Sequence, residues 1–199
     1  GRALDLEAIR RRLREAATAE VAPPPARPGA AVATVLRERT SGPEVLLIRR
    51  AERAGDPWSG HMAFPGGRLD PGDPSLEHTA IRETGEEVGL DLPAHGELVG
   101  PLEDVPTHKT GLVVRPFVWT IGPPPPLRLN HEVASAHWVA LEPLRRGELD
   151  DRYELHWRGR RHRFPAYRVG EGVVWGLTYR MLQLFFARLD GLGQRRRGD

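Results

Sequence analysis

Gly66-Gly67-Arg68-Leu69-Asp70-Pro71-Gly72-Asp73 leads, through Pro74-Ser75-Leu76, into Glu77-His78-Thr79-Ala80-Ile81-Arg82-Glu83-Thr84-Gly85-Glu86-Glu87-Val88-Gly89-Leu90. The spacing predicts a helix from Ser75 to Val88, with Gly89 as its stop. At about 100° per residue, Glu83, Glu86 and Glu87 fall on one side. Ala80, Ile81, Thr84 and Val88 fall on another, which can pack on a core. Like charges three and four apart destabilise a helix by roughly 0.2–0.5 kcal/mol per pair. Something positive must offset that repulsion. A hard divalent cation such as Mg²⁺ or Mn²⁺ suits carboxylate, carbonyl and phosphate oxygens.

Taken alone, an acidic stripe is a solvated face. Two neighbours tell against that here. The glycine pair forms a turn where a backbone carbonyl can approach an ion closely, and Arg82 stands beside Glu83. Together these residues resemble the Nudix box, Gly-x5-Glu-x7-Arg-Glu-U-x-Glu-Glu-x-Gly-U, with U a bulky apolar residue. Arg82, Glu83, Glu86, Glu87, Gly89 and Leu90 match its second half. The first half departs: counted from Gly67, the first acid is Asp73, and the gap to Arg82 is one residue longer than usual. Thr84 fills a slot that is normally apolar. The resemblance implies a hydrolase that splits P–O–P links with Mg²⁺ or Mn²⁺ held by Glu83, Glu86, Glu87 and the Gly67 carbonyl. Arg82 would then orient Glu83, and Glu86 or Glu132 would serve as general base.

Three further stretches resemble the coenzyme A pyrophosphatase branch of that family. They are the lengthened box, Leu46 to Ala51 followed by Gly60-His61-Met62-Ala63-Phe64-Pro65-Gly66-Gly67, and Pro165-Ala166-Tyr167 with Val174-Trp175-Gly176. Gly55 stands where that branch has arginine, and His61 where it has glutamine. The substrate implied is coenzyme A or an acyl derivative. ADP-ribose, another nucleoside diphosphate compound, or a non-catalytic nucleotide-binding module stay open beside it. Arg50 and Arg53 are the cations placed to meet a 3′-phosphate. Trp58 offers a ring for an adenine, and His61 a polar contact to phosphate. Lys109, the sole lysine, supplies a point charge for a phosphate in the Pro106-Thr107-His108-Lys109-Thr110 loop.

Composition bounds the rest. The chain has 199 residues, 39% hydrophobic and 28% charged, enough for one domain with a buried core. No apolar run approaches the ~20 residues of a membrane span, and Gly1 to Arg14 is too charged for a secretory signal. There is no cysteine, so disulfides, thiolate catalysis and the isoprenoid diphosphate isomerase reading are excluded. A cytoplasmic location is expected. The net charge is +2. Arginine clusters at residues 10–12, 158–163 and 195–197 carry no aromatic ladder or nucleic-acid motif, so no nucleic-acid partner is expected.

Working outward, residues 1–28 read as an N-terminal helix (4–20, with Leu6, Ile9 and Leu13 on one stripe) and a proline-rich linker. The linker allows the helix to cover its own domain or a second subunit, which leaves a homodimer open. Residues 29–190 form the Nudix hydrolase domain, and 191–199 a flexible basic tail. Strands are predicted at 30–36, 44–49, 61–64, 96–102, 111–121 and 132–140, a late hairpin at 153–164, and a closing helix at 173–190. Mixed strands and helices suit an α/β fold with a sheet covered on both faces. The resemblance implies the same: an α/β/α sandwich with a central mixed sheet, plus extra N-terminal and C-terminal helices.

Overall fold

The computed structural model describes residues 4–17, 29–52, 54, 60–107 and 111–191. Arg53, Trp58 and Lys109, with the proline-rich linker and the basic tail beyond Gly191, lie outside the described residues.

The chain begins with helix α1 (Leu6–Ala17). Strand β1 (Ala30–Arg39) turns into β2 (Gly42–Arg50). Two short strands follow, β3 (Met62–Ala63) and β4 (Gly66–Arg68). Helix α2 (Leu76–Val88) and the single-turn α3 (Leu92–His95) precede β5 (Gly96–Pro101), β6 (Val105–Pro106) and β7 (Val113–Ile121). Strand β8 (Val133–Ala140) runs into α4 (Leu141–Arg145). A second sheet holds β9 (Asp150–Trp157), β10 (Arg160–Val169) and β11 (Gly172–Trp175), and α5 (Gly176–Leu189) closes the domain.

Among the described residues the main sheet has eight strands and is mixed. β1 pairs parallel with β7, while β1–β2, β1–β4, β2–β8 and β5–β7 are antiparallel. β1, β2 and β7 are buried on both faces, which is why each reads as a near-continuous apolar run. Alternate residues feed two cores. Ala31, Ala33, Val35, Leu46, Ile48, Phe117 and Trp119 join Ala80 and Val88 of α2. Leu36, Val45, Leu47, Val114 and Val118 face Ile9 and Leu13 of α1 and Met181 and Phe185 of α5. Helices on both faces make the α/β/α sandwich.

α1 packs on its own domain. Ile9 is fully buried, and Arg10 Nε donates to Thr120 Oγ1 at 2.8 Å. The helix meets α5, β5 and β1.

Two expectations need correction. Residues 172–175 are strand, not the start of the closing helix. Val173 and Val174 pair with Arg168 and Tyr167, and Trp175 pairs with Ala166 before α5 begins. Val174 and Leu177 share an apolar stripe at helical spacing, but β-branched valines also suit a strand, and β10 supplies a partner. The Gly66-Gly67 pair is extended strand rather than a turn, with Gly66 opposite Val32 and Gly67 opposite Ala31. Glycine is needed there for closeness: a Cβ on Gly66 would lie 2.4 Å from the Ala31 carbonyl oxygen.

Candidate active site

The acids are positioned by α2 and by the strand beneath it. Ser75 caps the helix by accepting the His78 N–H at 3.1 Å, and Gly89 ends it in the left-handed region at φ 70°. With Ala80, Thr84 and Val88 buried against the sheet, the opposite residues turn towards β4. Glu87 is buried, and its carboxylate accepts the Gly66 N–H at 2.8 Å. The Glu83 carboxyl lies on Gly67 so closely that a Cβ there would stand 2.6 Å from its carbon. Glycine at 67 is thus a steric requirement of Glu83. Glu86 stands further out, half exposed.

Arg82 organises this face. Its Nε and Nη2 donate to the two oxygens of Asp73, each at 2.9 Å. Its Nη1 reaches Glu83 at 3.0 Å and Glu86 at 3.3 Å, and Nη2 also touches the Arg68 carbonyl at 3.3 Å. Asp73 additionally accepts from Thr79 Oγ1 at 2.8 Å and from the Asp70 N–H at 2.9 Å. The first acid of the box therefore holds Arg82 rather than facing the three glutamates. The nine-residue separation of Asp73 and Arg82 carries this pairing in the sequence, where it reads only as a shifted acid.

The charges are under tension. Burial raises Glu83, with Arg82 opposing and Glu86 and Glu132 adding to the rise. Burial pushes Glu87 up to about 8; the Gly66 N–H and Arg50 oppose this, while Glu83 and Glu132 reinforce it. Glu132, just before β8, is therefore within electrostatic reach of both. Its segment is fixed from both sides: Asn130 N–H donates to the Glu87 carbonyl and Ala51 N–H to the Glu132 carbonyl. Arg50 stands opposite Val133 beyond a bulge in the β2–β8 pairing.

His61 sits beside Arg50, whose N–H donates to the His61 carbonyl at 3.2 Å. Its Nδ1 accepts the indole N–H of Trp175 at 3.0 Å. An indole only donates, so in the neutral ring the proton is on Nε2. Tyr153 and Trp175 pack edge-on to it, at 5.3 and 5.5 Å. The structure thus gathers Glu83, Glu86, Glu87, Glu132, Arg82, Gly67 and Arg50 around one end of the sheet, with His61 joined to Arg50 through the backbone. Tyr153 is an addition that the sequence reading lacked, and Trp175, named there only within the branch resemblance, joins it beside His61.

Among the described residues, no three His, Cys, Asp or Glu side chains converge tightly enough as they stand to hold a metal ion. Their donors are engaged by the protein instead, Glu83 and Glu86 by Arg82 and Glu87 by Gly66. The donor chemistry nevertheless fits a hard divalent cation: an all-oxygen set, under-neutralised, with one carboxyl forced towards its neutral form by burial.

The family profile described as NUDIX domain matches residues 25–158, two thirds of the chain. The chain belongs to the Nudix family. Human mitochondrial coenzyme A diphosphatase NUDT8 is 36% identical over 173 residues, covering 84% of this chain and 71% of that one. A protein of Schizosaccharomyces pombe, C14C4.10c, is 45% identical over 123 residues. That stretch is 58% of this Nudix chain but only 37% of the yeast one. Among solved structures, a MutT protein from Methanosarcina mazei superposes over 85% of this chain and 98% of its own at 22% identity, with a TM-score of 0.51. That likeness concerns the fold. As a Nudix pyrophosphohydrolase, the protein belongs to a coenzyme A pyrophosphatase-like branch and acts on pyrophosphate compounds. Family members generally need a divalent metal. No helix among the described residues is long and apolar enough to cross a membrane.

Proposed function

We propose that this Nudix hydrolase uses Mg²⁺ or Mn²⁺ to cleave the diphosphate link of coenzyme A or an acyl-coenzyme A. The products are 4′-phosphopantetheine, or its acyl form, and 3′,5′-ADP. The carrying observation is the seating of Glu83 on Gly67 and of Glu87 on Gly66, two carboxyls packed on bare glycine backbone with burial raising both. Glu83, Glu86, Glu87 and the Gly67 carbonyl would hold the ion. Once bound, it would supply charge neutralisation for the diphosphate and a more acidic water.

The chain's own residues do the remaining work. Arg82, anchored on Asp73, keeps Glu83 against Gly67. Glu86 already shares Arg82 with Glu83, so its lone pairs are partly engaged. Glu132 is half exposed and faces the same charges. In this reading Glu132 accepts the proton of the attacking water. Arg50 stands at the edge of the acids, where a substrate phosphate oxygen needs a cation. The location proposed is cytoplasmic; the human relative's mitochondrial address is that protein's own.

The test is product identification by mass after incubation with Mg²⁺ or Mn²⁺ and coenzyme A, dephospho-coenzyme A or ADP-ribose. Release of 4′-phosphopantetheine and 3′,5′-ADP from coenzyme A, faster than ADP-ribose is split, is the expected result. ADP-ribose cleaved far better than both others would refute the coenzyme A assignment and leave the hydrolase class standing.

A further inference from the structure

A file of aromatic rings leads away from the acids. Beyond His61 and Trp175, Phe164 lies 5.4 Å from Trp175, His162 6.2 Å from Phe164 and Trp157 6.4 Å from His162. Tyr153 stacks on Trp175 at 4.5 Å and 27°. The strand register explains the file. Tyr153 is opposite Phe164, Leu155 opposite His162, and Trp175 opposite Ala166, so these residues share one face of the second sheet. The other face of the same hairpin carries Arg152, Glu154, His156, Arg161 and Arg163. The aromatic face is only half buried, and Trp157 at its far end is 49% exposed.

Two features decide what this face suits. It starts beside Arg50, whose backbone N–H donates to the His61 carbonyl and whose charge bears on Glu87. It is also long: a nucleobase covers one or two rings, whereas this file runs through five, two of them imidazoles, and continues to the Arg158 guanidinium, 4.4 Å above Trp157. An extended hydrocarbon chain matches that shape, with about 0.8 kcal/mol, roughly a fourfold gain in affinity, for each methylene fully buried.

We propose that the aromatic face of β9–β11, entered at His61, is the subsite for an apolar chain on the non-nucleotide substituent of the diphosphate. Long-chain acyl thioesters are then preferred over short ones. This rests on the reading of the acids as a diphosphate hydrolase site.

The experiment measures kcat/KM for acetyl, hexanoyl and dodecanoyl thioesters of coenzyme A, and for ADP-ribose, in the wild-type protein and in three variants. Phe164→Ala cuts the middle of the file. Trp157→Ala cuts its exposed end, where folding is least at risk. His156→Ala changes the opposite face. In the wild type and in His156→Ala, kcat/KM should rise at least about tenfold from acetyl to dodecanoyl. Phe164→Ala should flatten the rise, and Trp157→Ala should flatten it between hexanoyl and dodecanoyl only. ADP-ribose should not follow the chain-length effect. Turnover without any rise, or a rise untouched by both Phe164→Ala and Trp157→Ala, overturns the subsite and leaves the hydrolase. A loss on ADP-ribose in Phe164→Ala as large as the loss on the dodecanoyl thioester also overturns it, since the nucleotide would then lie on the file. No turnover of any of the four compounds overturns the hydrolase reading as well.

Discussion

Arg82 grips both oxygens of Asp73 at 2.9 Å, and its remaining nitrogen reaches Glu83 at 3.0 Å. A planar fork is required to serve both partners at once, and lysine has none. Arg82→Lys should therefore lower kcat at least tenfold, within the roughly 10–100-fold range seen when a partner that orients a ligand is lost. Asp73→Asn should lower it less while making metal affinity weaker. Steady-state kinetics against metal concentration would check both. Equal, near-normal activity in the two variants would mean that the anchoring is structural only.

Gly67 allows a sharper steric test. A Cβ there would lie 2.6 Å from the Glu83 carboxyl carbon and Oε1. Gly67→Ala should displace Glu83 and reduce turnover by roughly tenfold or more, with the circular dichroism of the fold retained. A larger side chain should do worse. Full activity in Gly67→Ala would show that Glu83 does not need its observed place.

Much of this was legible in the chain. Helix α2 was readable because its cap, its period of 3.6 and its glycine stop agree. The central strands were readable because burial on both faces leaves unbroken apolar runs. Three features were hidden by ambiguity in local chemistry. Val173-Val174-Trp175 continues the apolar pattern of α5, and only the partner strand β10 decides that it is extended. Gly66-Gly67 reads as a turn, because a glycine used for close approach looks the same as one used for bending. Asp73 reads only as a shifted first acid of the box until Arg82 is seen folded back onto it. The ring contacts of His61 with Tyr153 and with Trp175 join residues over ninety positions apart, and no local pattern carries them.

Glu87 makes stability depend on pH. Its carboxyl sits at about 8 in the folded protein against an ordinary 4.5. Between those values the folded state holds a proton that the unfolded chain has released. Stability from this group is thus fully present below about 4.5 and lost as pH rises towards 8. The metal-free melting temperature should fall from pH 6 to pH 8.5. Added Mg²⁺ or Mn²⁺, which requires the ionised form, should raise it more at pH 8.5 than at pH 6. Glu87→Gln should abolish this slope. Thermal melts with and without metal would check all three, and a slope unchanged in Glu87→Gln would assign it to another group.

The N-terminal helix belongs to the core that α5 also lines. Ile9 is completely buried, and Leu6 and Leu13 nearly so. Ile9→Ala should cost about 2–5 kcal/mol of stability, read by denaturant unfolding, with kcat little changed at a temperature where the variant is folded. Unaltered stability would mean that α1 leaves the domain in solution. Size measurement on the same variant separates packing within the chain from contact between two copies.

The most direct test of the central claim is turnover of coenzyme A as a function of Mg²⁺, compared between the wild type and Glu87→Gln. The account predicts saturable, metal-dependent release of 4′-phosphopantetheine and 3′,5′-ADP by the wild type and a loss of at least about a hundredfold in the folded variant, equivalent to roughly 2.7 kcal/mol of transition-state stabilisation. Near-normal turnover by Glu87→Gln, or wild-type turnover that persists after complete metal removal, would contradict it.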